Sequence, residues 1–212
     1  MGYDTSLVAG KLRRWEFYLD RFRLPAWNQI PDFGLYMEQL ILLLKDYLDY
    51  LPPELKEEQF ITASTINNYV RTHVMPEPVK KRYYRVHIAY IIIILTLKQS
   101  LSIALIQQII PMGLSVEEVE HAYTIYAQRH RQAAAYFMEQ VRSAAGPILG
   151  HSDSVDGAVS DPAELIALSA IISGFSRLMA EKLLLLEGKD LSTGGSIALK
   201  GLHHDSRTNE AK

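Results

Sequence analysis

The strongest feature of the hydrophobic pattern is an apolar run from Ile88 to Leu97, approached through Arg85 and closed by Lys98. It shows no alternation, so it predicts a core helix over Arg85–Gln99 with both faces covered. A bilayer span needs about 20 residues, so this run is too short to cross one and no membrane partner is expected. Weaker patterns flank it. Asp32 is a good N-cap for a helix from Phe33 to about Tyr50, with Leu35, Leu40, Leu43, Leu44 and Tyr47 at roughly helical spacing and Pro52-Pro53 as its stop. Thr62–His73 reads as a short helix. Val74–Arg82, with Pro76 and Pro78, must be a turn or loop. Ser102 can cap a further short helix through Ile110, which Pro111-Met112-Gly113 breaks. Residues 1–30 are aromatic and basic, and Pro25 interrupts any helix there.

The last third predicts two long helices. Ser115 followed by Glu118 is a capping box opening a helix to about Arg142, with Val119, Tyr123, Tyr126, Ala133 and Phe137 along one face. A linker, Gly146–Ser160, follows. Asp161, Pro162 and Glu164 then supply an N-cap, a first helical residue and a capping partner for a helix to Glu187, stopped by Gly188. That helix has one apolar stripe of Leu165, Leu168, Ile172, Phe175 and Met179, and a second of Ile171, Leu178 and Leu185. A helix apolar nearly all round is a buried one, and a partner subunit is a natural cover. The tail after Leu191 is polar and loose.

Chemistry concentrates between Thr62 and Arg85. Ile66, Tyr69 and Val70 make one apolar face of the short helix, while Thr65, Asn68, Arg71 and Thr72 face the other way. Small polar and basic side chains suit a recognition helix, because Asn can bond adenine bidentately and Arg can take guanine or phosphate. The formal net charge of −2 does not advertise a polyanion partner, but this segment holds Arg71, Lys80, Lys81, Arg82 and Arg85 against Glu77 alone. It is therefore +4, and the rest of the chain −6. A local basic patch is what a DNA reader needs, although a solvated basic loop has the same composition.

The same block resembles the MerR-type winged helix-turn-helix. Thr65, Ile66 and Tyr69 fall at the Thr, Leu and second Tyr of its recognition helix, Val74-Met75-Pro76 at the exit, Arg82-Tyr83 at the end of the wing, and Leu101-Ser102-Ile103 at the start of the later helix. Asn67 and Asn68 replace the usual Arg and first Tyr, His73 replaces the turn Gly, and Tyr84 stands where a Thr or Ser cap is expected. Leu35-Tyr36-Met37-Glu38-Gln39 together with Ile66-Asn67-Asn68-Tyr69 resembles, more closely, an uncharacterised bacterial family, domain of unknown function eighteen thirty-six, over roughly residues 15–110. The resemblance implies a DNA-contacting set of Thr65, Asn67, Asn68, Tyr69, Arg71 and Thr72 on the helix, with Lys80, Lys81 and Arg82 on the wing.

Composition narrows the remaining classes. The chain has 212 residues and no cysteine, which excludes disulfides and thiolate metal sites and fits a cytoplasmic location. Lys11, Arg13, Arg14, Glu16 and Asp20 break up any secretory apolar segment. Glu118 and His121 form a Glu-x-x-His pair, but a di-iron bundle needs a second pair and two further Glu. His203, His204, Asp205 and Ser206 are triad residue types in a polar tail, and His151, Ser152, Asp153 and Asp156 lie in the linker; neither set has anything to hold it. His130, near the aromatic stripe, reads as a packed histidine.

The expected protein is all-α or nearly so. N-terminal helices and a MerR-like winged helix-turn-helix fill 1–113, a helical dimerisation or sensing module fills 114–190, and a flexible tail fills 191–212. The expected function is DNA-binding transcription regulation by a homodimer joined through Pro162–Glu187, with room for a small-molecule effector, no cofactor and no enzymatic activity. The alternative is a winged-helix module that binds protein and has lost DNA contacts.

Overall fold

The computed structural model describes residues 2–48, 61–151 and 157–190. The expected helix end near Tyr50, the Pro52-Pro53 stop, Ser152–Asp156 and the tail from 191 lie outside the described residues. Among the described residues there are eight α-helices and no strand, only two isolated antiparallel bridges.

Helix α1 (Thr5–Arg21) opens where the Asp4 carboxylate accepts the Leu7 N–H at 2.9 Å, and it ends at Phe22, before Pro25 takes effect. The sequence pattern, with Pro25 in its path, does not predict this helix. A turn of 3-10 helix (Trp27–Gln29) follows. Helix α2 covers Met37–Tyr47, a later start than Asp32 and Phe33 predict. Leu35 is held in extended conformation by paired backbone hydrogen bonds with Tyr83, both 2.9 Å, so the helix cannot begin until the Tyr36 N–H donates to the Gln39 side chain at 3.0 Å. Asp32 instead faces Arg85 at 3.8 Å.

Helix α3 (Ala63–Arg71) and helix α4 (Arg85–Leu97) agree with expectation. The apolar run is the centre of the core: Ile88, Ile91, Ile92, Ile94 and Leu95 are fully buried. Leu40 and Leu44 of α2 and Ile66 of α3 belong to the same cluster. Helix α5 (Ile103–Ile109) is capped by Ser102, as its sequence predicts. Helix α6 (Val116–Ala144) opens with the Ser115–Glu118 capping box, which occupies the Glu118 carboxylate at 2.7 Å from the Ser115 N–H. Val119 and Tyr123 of α6 belong to the main core, so that core continues past residue 113. Further along, the buried face of α6 drifts from the expected stripe. Met138 is buried while Ala133 and Phe137 are exposed, because α1 packs on this half and Trp15 meets the Phe137 ring edge-on at 5.6 Å.

The expected linker contains a short helix, α7 (Gly146–Leu149), which packs on α1; Arg13 donates to the Leu149 carbonyl at 2.6 Å. A second, small cluster forms there from Ala9, Ala145, Ile148, Leu149 and Leu165. Helix α8 (Pro162–Leu184) is capped by Asp161 and lies against α5. Beyond Leu165 most of its apolar side chains stay exposed within one chain, including Ile171, Ile172, Phe175, Leu178 and Met179, while Leu168, Ala180 and Leu184 are half-buried. By length and composition α8 is long and apolar enough to cross a bilayer, a property the Ile88–Leu97 run lacks. The apolar groove between α6 and α8 has a volume of about 320 Å³ and is lined by Phe137, Val141, Leu165 and Ile172 among others.

Candidate nucleic-acid interface

Helix α3 is built to show one polar face. Thr62 caps it: its hydroxyl accepts the Thr65 N–H at 3.1 Å and meets the Thr65 hydroxyl at 2.9 Å. Nine residues give two and a half turns, and Ile66 and Tyr69 anchor the inward side. Ser64, Asn67 and Arg71 are exposed, with Asn68 half-buried beside them. Arg71 donates to the Asn68 side-chain oxygen at 2.7 Å, and the Thr72 hydroxyl donates to the Asn68 carbonyl at 2.8 Å. The Asn68 amide group and the Arg71 guanidinium are thus pre-set as one polar unit on the outward face.

Tyr69 leaves the candidate set. It is 2% exposed, and burial pushes its hydroxyl up to about pKa 12. Its ring serves the core, as the apolar face of the sequence pattern implied. Ser64 enters the surface in its place. It sits three residues before Asn67 and seven before Arg71, a helical period visible in the sequence.

The exit from α3 is a Schellman turn. Val74 N–H bonds the Tyr69 carbonyl at 3.1 Å and His73 N–H bonds the Val70 carbonyl at 3.0 Å. His73 occupies the left-handed position at φ 53°, where glycine is usual, which is the substitution noted in the sequence. Gln107 of α5 donates to the Thr72 carbonyl and so ties the end of α3 to its neighbour.

The basic loop is a minimal hairpin. Val79 and Arg82 exchange backbone hydrogen bonds at 3.1 and 3.0 Å, leaving Lys80 and Lys81 as the two turn residues. Both are left-handed, at φ 50° and 62°. This is the two-residue hairpin turn that ordinarily selects Asn-Gly. Tyr83, next along, pairs with Leu35, so the hairpin is fastened to the segment before α2. Gly34 permits that fit: a Cβ there would stand 2.8 Å from the Arg82 Cβ and 2.9 Å from the Tyr84 ring.

The five cations of the block divide by environment. Lys80 and Lys81 are exposed at the turn, and Arg71 is exposed on α3. The Arg82 guanidinium lies over the Tyr36 ring at 4.5 Å and donates to the Tyr36 hydroxyl at 2.8 Å. Arg85 donates to the Ile30 carbonyl at 2.7 Å and faces Asp32, so it fastens α4 to the segment before α2.

These features define a helical domain that presents a short polar helix and a cationic two-residue hairpin. Residues 25–128 match the family model described as a domain of unknown function, DUF1836. The match runs into α6 past Tyr123, the last fully buried member of the main core along the chain. No curated protein and no solved structure matches the chain.

Proposed function

We propose that the protein is a DNA-binding transcription regulator of MerR-like winged helix-turn-helix type. In this reading α2 and α3 are the helix pair, the outward face of α3 enters the major groove, and the Val79–Arg82 hairpin is the wing on a neighbouring phosphate backbone. The contact set is Thr65, Asn67, Asn68, Arg71 and Thr72 with Lys80, Lys81 and Arg82, and Ser64 is added to it. Self-association through the Pro162–Glu187 segment would offer two such helices to a pseudo-palindromic site.

The observation that carries the reading is the pair Lys80-Lys81. Two non-glycine residues in a left-handed turn are each disfavoured by about 1 kcal/mol, and two adjacent like charges add repulsion. Local strain of this kind collects at functional sites, and an anionic surface opposite would offset it. A protein-binding winged module remains the second reading. It is favoured by Arg82 and Arg85, whose guanidinium groups are already engaged within the chain and contribute less to an outward field.

Selection of genomic fragments by the purified protein, followed by titration of selected and scrambled duplexes at two salt concentrations, separates the two. A DNA regulator binds the selected duplex tighter, and log affinity falls against log salt by about 0.9 per phosphate contact. Absence of binding to either duplex at low salt rejects the DNA reading in favour of the protein-binding module.

A further inference from the structure

Helix α8 carries a regularity beyond its two apolar stripes. Glu164, Leu168, Ile171, Phe175, Leu178 and Lys182 follow one another at steps of four, three, four, three and four. At 3.6 residues per turn these six lie within about 40° of a single line along the helix, a coiled-coil seam. From Ile171 onward the seam points away from the side on which Leu165 is buried and Ala180 packs on the core, while Leu168, near its start, is half-buried at the edge of the α6–α8 groove. Ile171, Phe175 and Leu178 on it are 55%, 68% and 46% exposed, and Glu164 and Lys182 are exposed at its two ends.

The order of charges decides what can cover this seam. Read backwards, it places Lys182 where Glu164 stood, Leu178 where Leu168 stood and Phe175 where Ile171 stood. The seam is therefore complementary to its own reverse. Two copies in parallel would set Glu164 against Glu164 and Lys182 against Lys182, which is repulsive at both ends. We propose that α8 pairs antiparallel with α8 of a second copy, on a two-fold axis at the level of Ser173. Glu164 of each copy then meets Lys182 of the other, and the apolar residues between them close the interface. An isologous contact of this kind closes on itself, so it stops at two copies.

The proposal deepens the self-association included in the functional reading, and its test does not depend on DNA. The chain has no cysteine, so introduced cysteines report cleanly. Leu168→Cys and Leu178→Cys proteins, each in the full chain, should form a disulfide-linked dimer when mixed and oxidised. Neither should do so alone, because like positions would lie about 15 Å apart along the axis, beyond the reach of about 7 Å for a disulfide. Glu164→Lys should weaken the dimer roughly tenfold in sedimentation, since symmetry breaks two pairs at once. The double variant Glu164→Lys with Lys182→Glu should restore it, with helix content by circular dichroism unchanged throughout.

Self-linking of Leu168→Cys overturns the antiparallel register. A monomer at micromolar concentration overturns the pairing, and a monomer that floats with phosphatidylcholine vesicles assigns the seam to a bilayer instead. If the mixed cross-link forms and no duplex binds, the DNA reading fails and this proposal stands.

Discussion

The His87 side chain reaches from the buried start of α4 to the backbone of Glu77, with Nε2 2.9 Å from the carbonyl oxygen. Its other nitrogen, Nδ1, accepts the Tyr84 N–H at 3.0 Å. With Nδ1 an acceptor, the hydrogen sits on Nε2 and donates to Glu77. One imidazole thus caps α4 in place of the missing Thr or Ser at Tyr84, and fixes the chain just before the hairpin. His87→Phe should fit the space but orphan both backbone groups, lowering stability by about 1–3 kcal/mol in urea unfolding. Amide exchange at Val79 and Arg82 should quicken in the same variant, because the hairpin loses its tether. Unchanged exchange there would confine the role of His87 to the cap.

The Lys80-Lys81 turn separates a structural role from a binding one. Lys80→Asn with Lys81→Gly installs the residues this turn prefers and should raise stability by about 1 kcal/mol. The same change removes two cations from the hairpin. In the DNA reading it weakens selected and scrambled duplexes alike and reduces the salt slope by about 2. A variant that is stabilised and binds as before would remove the hairpin from the proposed interface.

His73 supplies a control on the same principle. It adopts φ 53° in the turn leaving α3, yet it is not among the proposed contacts. His73→Gly should raise stability by about 0.5–1 kcal/mol, read from the urea midpoint, and leave any duplex affinity within error.

The sequence made much of this fold legible, for identifiable reasons. Ile88–Leu97 was readable because no pattern except burial on all sides explains so apolar a helix between charged ends. The Ser102, Ser115 and Asp161 caps were readable because capping is local chemistry. Helix α1 was not, because charged residues interleave its apolar ones and much of its cover comes from α6 and α7, more than a hundred residues away. The start of α2 was misplaced for a similar reason: the long-range pairing of Leu35 with Tyr83 outweighs the Asp32 cap. On the candidate interface, the split of α3 into an apolar and a polar face came from periodicity, and that split already placed Tyr69 inside. The resemblance to MerR proteins drew it back into the contact set, and its burial removes it. The left-handed Lys80-Lys81 turn and the docking of Arg82 on Tyr36 follow from contacts across the fold, which no local pattern encodes.

His130 gives the stability a defined dependence on pH. It lies on α6 between Phe22, at 6.0 Å, and Tyr126, at 6.5 Å, and burial lowers its pKa from the ordinary 6.5. The folded protein therefore declines a proton that the unfolded chain accepts. Between the lowered value and about 6.5 the unfolded state binds more protons, so stability rises with pH across that window. The contribution is fully present above about pH 6.5 and is lost as pH falls through the folded value. Thermal unfolding of the wild type should show a Tm that declines on acidification from pH 7 toward 5. His130→Gln removes the titrating group and keeps a polar side chain, and it should flatten that part of the decline while leaving the fall from carboxylate protonation at lower pH. An unaltered slope in the variant would assign the titration to another group.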